Sequence, residues 1–141
     1  MTEQEIAERC AELFWEGDRL AKHLGFRFVS AGPGRAVVAS TVTEIHLNIH
    51  NTAHGGGLFA LAGTAFGIAC NSRNHLAVAE VTSMNYVGRA VTGDVLTATA
   101  QEVSRAGKTA VFDIRIENSE GTPIALARGV ARNISGTVIP E

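Results

Sequence analysis

The spacing of apolar residues switches between helical and alternating patterns along the chain. Near the N-terminus, Ile6, Cys10 and Phe14 recur every four residues, which is typical of an amphipathic helix. Thr2 and Glu5, three residues apart, form a capping-box signature and predict that this helix begins at Thr2.

Glycines divide the next stretch of the chain. Gly17 is a candidate interruption before the apolar positions of Leu20–Leu24, and Gly25 is a candidate end for this helical region. Two short segments rich in β-branched and aromatic residues follow, Phe26–Ala31 and Ala36–Val42. The turn sequence Gly-Pro-Gly between them predicts a β-hairpin, because glycine supplies the backbone freedom that a reversal needs.

The middle of the chain combines a polar loop, Thr43–Gly55, with a predicted helix over Gly56–Asn71. Apolar side chains cover much of the circumference of this helix. A helix that apolar is normally surrounded by other structure.

Four strand-like segments come after the helix, and each is bounded by turn residues. They are Ala77–Tyr86, Asp94–Ser104, Thr109–Asn118 and Pro123–Ile134. The order of elements predicts an α+β fold, with a long antiparallel sheet curled around one central helix and an additional N-terminal helix. We expect a single domain over residues 1–141, with a loose tail at Gly136–Glu141.

Composition narrows the classes of partner. The chain has 12 Lys and Arg against 14 Asp and Glu, a net charge of −2, which gives no broad electrostatic reason to expect nucleic acid or an anionic membrane. The N-terminus is acidic where a secretory signal is basic and then apolar. Cys10 and Cys70 lie within apolar helical patterns, so we expect both to be reduced and the protein to be cytoplasmic.

Candidate chemistry is concentrated between His46 and Ser72. Glycines open the predicted central helix, and backbone amides at a helix start can polarise a carbonyl or hold an oxyanion. A hydrolase also needs a base or a nucleophile nearby, yet no carboxylate occurs between Glu44 and Glu80. Thr64 and Ser83 could orient a water molecule but have no adjacent base.

Three histidines repeat every four residues, at His46, His50 and His54. On a continuous helix this spacing would align three imidazoles for zinc. The surrounding Asn and Thr residues favour a loop instead, and no Cys or carboxylate stands beside them. We therefore expect no metal and no other cofactor.

Several short motifs together resemble the hotdog-fold thioesterases of the phenylacetate-degradation (PaaI-type) family, over nearly the whole chain. They are Asn48, His54-Gly55-Gly56, Phe59-Ala60-Leu61-Ala62, Ala69-Cys70-Asn71-Ser72, Asn85-Tyr86, Arg89-Ala90, Gly93-Asp94-Val95-Leu96 and Gly107-Lys108-Thr109. The resemblance implies hydrolysis of an aryl-acetyl-CoA or a similar acyl-CoA thioester. It also implies a homodimer or a homotetramer (a dimer of dimers) with active sites at the subunit interface.

The resemblance also implies roles for individual residues. Asn48 would position the attacking water or the substrate, the Gly55 amide would polarise the thioester carbonyl, and His54 would shape the turn and touch the substrate. Asn51 stands where a glycine is common, a mild departure because Asn tolerates positive φ. Gly63 stands where the family usually has the catalytic aspartate.

Alternatives remain open for each of these positions. Gly55 and Gly56 could serve a helix start that needs positive φ or close packing, and His54 could satisfy local backbone groups. Gly63 could reflect close helix contact, room for substrate, or loss of the acid by drift or by engineering. A mid-helix glycine costs about 1 kcal/mol relative to alanine, so its presence needs such a reason. Glu80 is either a relocated base or an exposed edge or interface glutamate.

Other candidate contacts to the substrate are Gly56 and Thr64 on the helix and three basic residues at strand ends or turns. Arg89, Arg105 and Lys108 could meet the phosphates of CoA. Each of them could equally be a solvated turn charge.

Two functions follow from these observations. The first is an acyl-CoA thioesterase, impaired because Gly63 replaces the usual carboxylate. The alternative is a non-catalytic acyl-CoA-binding hotdog protein that acts as a sensor, carrier or partner subunit. A structural oligomer without a ligand is a third interpretation.

Overall fold

A computed structural model describes residues 1–141, which form one six-stranded antiparallel sheet with the strand order β1-β2-β4-β5-β6-β3. The sheet wraps around a central helix, α3, and the N-terminal helix α1 packs near β1. The helices are α1 (Glu3–Gly17), α2 (Arg19–His23) and α3 (Gly55–Cys70). The strands are β1 (Arg27–Gly32), β2 (Arg35–Thr41), β3 (Ala77–Tyr86), β4 (Val95–Ala106), β5 (Thr109–Glu117) and β6 (Pro123–Asn133).

The predicted α+β order of elements is confirmed, and most boundaries move by only one or two residues. Helix α3 begins at Gly55, one residue earlier than predicted, and the polar loop before it contains a short 3-10 turn at Glu44–His46. The capping box of α1 is present: the Glu5 amide donates to Thr2 Oγ1, and the Thr2 amide donates to the Glu5 carboxylate. Helix α1 ends at Gly17, as the sequence suggested.

Two tight turns follow from the residues that occupy them. Pro33 and Gly34 connect β1 to β2, and Gly34 has a φ of +70°, which the second central position of a type II turn requires. Gly107 and Lys108 connect β4 to β5, with a φ of +61° at Gly107, as in a type II′ hairpin.

The core lies between α3 and the inner face of the sheet. Phe66 points from α3 onto β6 at Gly129, where a Cβ atom would lie only 2.6 Å from the Phe66 ring. Phe112, paired with Gly129 across β5 and β6, places its ring centroid 5.5 Å from that of Phe66. The glycine therefore makes room for an aromatic pair that joins the helix to the centre of the sheet.

The C-terminal end of α3 is fastened to two strands by buried polar side chains. The Asn71 side chain donates to the Ala77 carbonyl at 3.1 Å and accepts from the Ala77 amide at 2.8 Å. The Ser72 hydroxyl accepts from the Gly34 amide at 2.7 Å and donates to the Ala69 carbonyl at 2.7 Å. The Ala69–Ser72 motif thus holds the helix end against the start of β3 and the β1–β2 turn.

The expectation of a loose C-terminal tail is wrong for most of its length. The amides of Val138 and Ile139 both donate to Asn74 Oδ1, and the Gly136 carbonyl accepts from the Leu76 amide. Asn74 adopts a φ of +65°, which places its side chain to receive the tail. This docking depends on contacts between distant segments, so local polarity did not reveal it.

Both cysteines are free and buried. None of the helices is long and apolar enough to cross a membrane.

Candidate active site

The first turn of α3 leaves a single backbone amide without an acceptor. The amides of Gly57 and Leu58 both donate to the His54 carbonyl, at 3.0 and 3.1 Å. The Gly56 amide donates to His54 Nδ1 at 2.8 Å. Only the Gly55 amide has no hydrogen-bond acceptor within the chain. One N–H at the positive end of the helix dipole is therefore available to a ligand.

Close contacts explain why two of the first-turn residues are glycines. A Cβ atom at Gly56 would lie 3.0 Å from His54 Nδ1, and one at Gly55 would lie 3.3 Å from the Tyr86 ring. None of the residues Gly55–Gly57 has a positive φ. Of the two structural explanations open from the sequence, close packing applies and positive φ does not.

Tyr86, at the end of β3, is part of this arrangement. Its hydroxyl donates to the Gly55 carbonyl at 3.1 Å. Tyr86 lies within the Asn85-Tyr86 motif, but its residue type and spacing alone predict no role in the site. The signal was strand alternation: Met84 and Tyr86 share one face of β3, and Met84 packs into the core around α3.

The three histidines of the loop make different contacts, and their side chains do not meet at one site. His46 is buried, with its Nε2 2.6 Å from the Leu24 carbonyl and its Nδ1 accepting from the Thr43 amide. The ring therefore ties the loop to the residue that ends α2 through contacts at both of its nitrogens. His50 is exposed, and His54 caps α3. No group of three or more His, Cys, Asp or Glu side chains is arranged to hold a metal ion.

Asn48 organises the turn between His46 and His54. Its Oδ1 accepts from the amides of His50 and Thr52, and its Nδ2 donates to Thr52 Oγ1 at 3.0 Å. These bonds close the loop on itself and leave one Nδ2 hydrogen for a further contact. Asn51 in the same loop has a φ of 59°, the conformation that its tolerance of positive φ allows.

Gly63 lies on a half-buried face of α3, where a Cβ atom would meet nothing within 4 Å. Close packing within the chain therefore does not require a glycine here, and the same holds for Gly67 one turn later. Room for a ligand or contact with a second subunit remains as the structural reason. Nearby, the Thr64 hydroxyl donates to the Ala60 carbonyl at 2.8 Å.

No side chain of α3 supplies an obvious base or nucleophile. Burial raises the pKa of the Cys70 thiol to about 12, so the reactive thiolate is scarce at neutral pH. Thr64 has no neighbouring base among its hydrogen-bond partners. This chain therefore offers one free backbone donor at the start of α3, whereas the helix carries no general base.

Glu80 lies on the side of the sheet opposite α3. It occupies a bulge in β3 between Ala79 and Val81, and its carboxylate is 4.0 Å from the Arg132 guanidinium. Arg132 belongs to the exposed set of residues on β6, which alternates with the buried alanines that face the core. Within one chain, the Glu80 carboxylate is therefore separated from Gly63 by the sheet itself.

The three candidate phosphate contacts are also separated. Arg89 is exposed and lies next to Ala90, whose carbonyl accepts from the Ala53 amide just before α3 begins. Arg105 lies near the other end of α3, where a cleft of about 490 Å³ also contains Arg73 and His75. Lys108 follows in the adjoining β4–β5 turn. One chain thus places a single candidate, Arg89, near the free Gly55 amide.

Glu102 partly neutralises the cleft at the far end of α3. Its carboxylate accepts from Arg73 Nη2 at 2.8 Å and from Arg105 Nε at 2.9 Å. Burial raises the pKa of this carboxyl. The hydrogen bonds and positive charges of the two guanidinium groups lower it by more than burial raises it, so the pKa lies below its ordinary value.

Comparison with known proteins relates this geometry to a family. The family model described as the thioesterase superfamily matches residues 50–125. The acyl-coenzyme A thioesterase PaaI of Escherichia coli K12 is 44% identical over 131 residues, which cover 93% of this chain and 94% of that protein.

Solved structures agree with the sequence comparison. The E. coli PaaI protein from the phenylacetic acid degradation operon superposes with a TM-score of 0.94 at 42% identity, covering 96% of this chain and 99% of that one. A hypothetical thioesterase from Streptococcus pneumoniae TIGR4, solved with coenzyme A, gives a TM-score of 0.75 at 29% identity, covering 79% and 87% of the two chains. The chain therefore belongs to the thioesterase superfamily, as a hotdog-fold thioester hydrolase of the PaaI type.

Proposed function

We propose that this protein hydrolyses acyl-CoA thioesters, with an aryl-acetyl group as the acyl class. Water adds to the thioester carbonyl carbon, the C–S bond breaks, and the products are a carboxylic acid and the free thiol of CoA. The observation that carries the proposal is the unpaired Gly55 amide at the start of an apolar helix. Support comes from the 44% identity to an acyl-coenzyme A thioesterase and from a related structure that holds coenzyme A.

In the proposed mechanism, the Gly55 N–H donates to the thioester oxygen, which becomes an oxyanion when water adds. The donor is fixed before the reaction, and the helix dipole adds to its field. His54 Nε2 has no partner in the chain and lies on the same turn, where it can contact the substrate. The remaining Nδ2 hydrogen of Asn48 can hold the water or the acyl carbonyl.

We place the two halves of each active site on different subunits. Positions 55 and 63 are eight residues apart on one helix, which separates them by about 12 Å along its axis. A thioester carbon bonded through its oxygen to the Gly55 amide lies only about 4 Å from that nitrogen. Position 63 of a second copy can approach this carbon more closely than position 63 of the same helix can.

The surface favours such a homodimer. Strand β3 is ten residues long and forms a free edge of the sheet, which is a template for pairing with another strand. The open face of α3 around Gly63 includes Phe59, which is 43% exposed. A homodimer would cover both the β3 edge and the open face of α3. Two such dimers would form the homotetramer that is the other assembly expected from the sequence.

CoA recognition in this proposal begins with Arg89, since it lies beside the segment that leads into α3. Arg105 and Lys108 would contribute to the same CoA molecule only from another subunit. The reduced, buried cysteines and a CoA-linked substrate are consistent with a cytoplasmic location, and no metal or organic cofactor has a role in the proposed reaction.

The absence of a carboxylate at Gly63 makes hydrolysis slow in this proposal. Loss of a general base typically costs about 10²- to 10⁴-fold in rate. A second function, acyl-CoA binding without turnover, is favoured by one observation: the α3 face around Gly63 has open space and no titratable side chain.

The deciding experiment restores the carboxylate. Phenylacetyl-CoA hydrolysis is followed by release of the CoA thiol for the parent protein and for Gly63→Asp, and binding is measured by calorimetry. We expect the variant to hydrolyse at least about 10²-fold faster with similar affinity, because the added acid supplies the missing base. The matched control is Gly67→Asp, one turn further along, where a Cβ atom also meets nothing within 4 Å.

Other outcomes separate the alternatives. Rapid turnover by the parent protein that disappears in Glu80→Gln would favour a relocated base. Binding by the parent with background turnover would favour the acyl-CoA-binding protein. Failure of both the parent and Gly63→Asp to bind any acyl-CoA would exclude both functions.

A further inference from the structure

The peptide group between Gly55 and Gly56 is held at both ends by side chains. Its carbonyl accepts from the Tyr86 hydroxyl at 3.1 Å, and its N–H donates to His54 Nδ1 at 2.8 Å. Three consecutive glycines have more backbone freedom than any other tripeptide, so this first turn is intrinsically easy to distort. Side-chain contacts therefore add to the backbone hydrogen bonds that set its geometry.

Tyr86 also packs against Gly55. An atom in the Cβ position of Gly55 would lie 3.3 Å from both Cε1 and Cζ of the tyrosine, so the ring occupies the space beside the glycine. Tyr86 thus limits the movement of Gly55 in two ways, through a hydrogen bond to the carbonyl and by filling the space beside the glycine with its ring.

The backbone of Tyr86 is itself firmly placed. Tyr86 pairs with Ala125 at the end of the β3–β6 ladder, and the next two amides, of Val87 and Gly88, both donate to the Ile124 carbonyl. A second connection joins the same regions, because the Ala53 amide donates to the Ala90 carbonyl at 2.8 Å. The end of β3 is therefore a rigid support for the start of α3.

We propose that Tyr86 is a positioning residue for thioester hydrolysis: it fixes the first turn of α3 so that the free Gly55 N–H points at the developing oxyanion. This assignment rests on the proposed function, because it needs an oxyanion at Gly55. Tyr86 acts through Gly55, and its hydroxyl is already donated to the Gly55 carbonyl. Substrate affinity depends on many other contacts, so Tyr86 affects the rate of the chemical step more than binding.

The test removes the hydroxyl and keeps the ring. Tyr86→Phe is made in the parent protein and in Gly63→Asp, with phenylacetyl-CoA as substrate. We expect kcat to fall about 3- to 10-fold, the effect of one hydrogen bond, while KM changes less than about twofold. If Tyr86 served only stability, Tyr86→Phe would lower the melting temperature, and kcat measured well below that temperature would be unchanged.

A spectroscopic readout does not require turnover. The carbonyl stretch of phenylacetyl-CoA labelled with ¹³C at the thioester carbon is recorded bound to the slow parent protein. We expect binding to lower its frequency, and we expect a smaller shift in Tyr86→Phe because the Gly55 N–H is less well directed. An equal shift and an equal kcat in the two proteins would overturn the assignment.

A second modification covers the case in which Tyr86→Phe folds poorly. Tyr86 is the only tyrosine in the chain, so incorporation of difluorotyrosine alters this position alone. Ring fluorination makes the phenol ionise at lower pH, and a phenolate cannot donate to the Gly55 carbonyl. We expect kcat of the fluorinated protein to fall at alkaline pH where that of the unmodified protein does not; identical pH profiles would overturn the assignment. If neither the parent nor Gly63→Asp binds an acyl-CoA, the proposed function fails as well, whereas normal activity that is insensitive to Tyr86 rejects only the positioning role.

Discussion

The two ends of α3 are built on opposite principles. At the C-terminal end, Asn71 and Ser72 are each 1% exposed, and their side chains bond to the backbone of neighbouring elements. At the N-terminal end, His54 is exposed, Tyr86 is 52% exposed, and one amide remains unpaired. One end of the helix is closed by the fold, and the other is open to a ligand.

Helix physics explains why the open end is the N-terminus. Unpaired N–H groups and the positive end of the dipole meet there, so this end favours an oxygen that carries or develops negative charge. A similarly open C-terminal end would present carbonyls, which repel such an oxygen. The buried amide and hydroxyl at Asn71 and Ser72 therefore contribute stability, and the glycines at the other end contribute access.

The sharpest way to test this contrast is to delete the free amide without disturbing the helix. Proline lacks an N–H and is well tolerated at the first position of a helix, and the ψ of 134° at His54 suits a residue that precedes proline. In the Gly63→Asp background, we expect Gly55→Pro to lower kcat for phenylacetyl-CoA about 10²- to 10³-fold, the effect of one oxyanion donor.

Gly55→Ala is the matched control for that substitution. It adds the same Cβ contact with the Tyr86 ring but retains the amide, so its loss of activity should be much smaller. Equal losses in the two variants would mean that crowding, and not the missing N–H, causes the effect.

An intermediate effect is expected at the closed end. Asn71→Ala removes both hydrogen bonds to the Ala77 backbone. The buried N–H and carbonyl of Ala77 are then left without these partners. We expect the free energy of unfolding to fall by about 2 to 3 kcal/mol, with kcat unchanged at temperatures where the protein is folded. Urea denaturation measures the loss.

The comparison substitution for Asn71 is Asn85→Ala, which changes an exposed asparagine on β3 and should cost less than about 0.5 kcal/mol. A large loss of kcat in folded Asn71→Ala would contradict the division of α3 into a structural end and a functional end.

The smallest effect concerns acid stability at the closed end. Because the pKa of Glu102 is lower in the folded protein than its ordinary value of 4.5, ionised Glu102 stabilises the fold at neutral pH. This contribution is lost as the pH falls below about 4.5 and through the lower folded-state pKa. We expect Glu102→Gln to reduce the unfolding free energy by less than about 1 kcal/mol at pH 7 and to flatten its decline in acid. Parallel curves for the two proteins would show that Glu102 makes no such contribution.

The sequence predicted the elements well because they depend on local patterns. Alternation placed the strands, the capping box placed the start of α1, and the glycines placed the start of α3 within one residue. The resemblance to the thioesterases is confirmed, and it implies a role for the Gly55 amide from the sequence alone. The roles of Asn48, His54 and Gly63 remain predictions.

Other features could not be predicted because they depend on which distant segments meet. The tail docks on Asn74, and Tyr86 reaches Gly55 across 31 positions of sequence. Glu80 is a candidate base by its residue type, and only the sheet shows that within one chain it lies on the face away from α3. Charge alone groups Arg105 and Lys108 with Arg89, whereas the fold puts them at the other end of the helix.

The sequence by itself determined the family, the order of elements, and the presence of an amide-rich helix start without a nearby carboxylate. These properties depend on residue types and on the spacing between residues that are close in sequence, so they can be read from the sequence directly. Only the tertiary structure decided which amide stays free, because that depends on the His54 side chain taking the Gly56 N–H and the His54 carbonyl taking the next two. It also decided that Gly63 faces open space within its own chain, since packing around a position is set by all the elements that surround it.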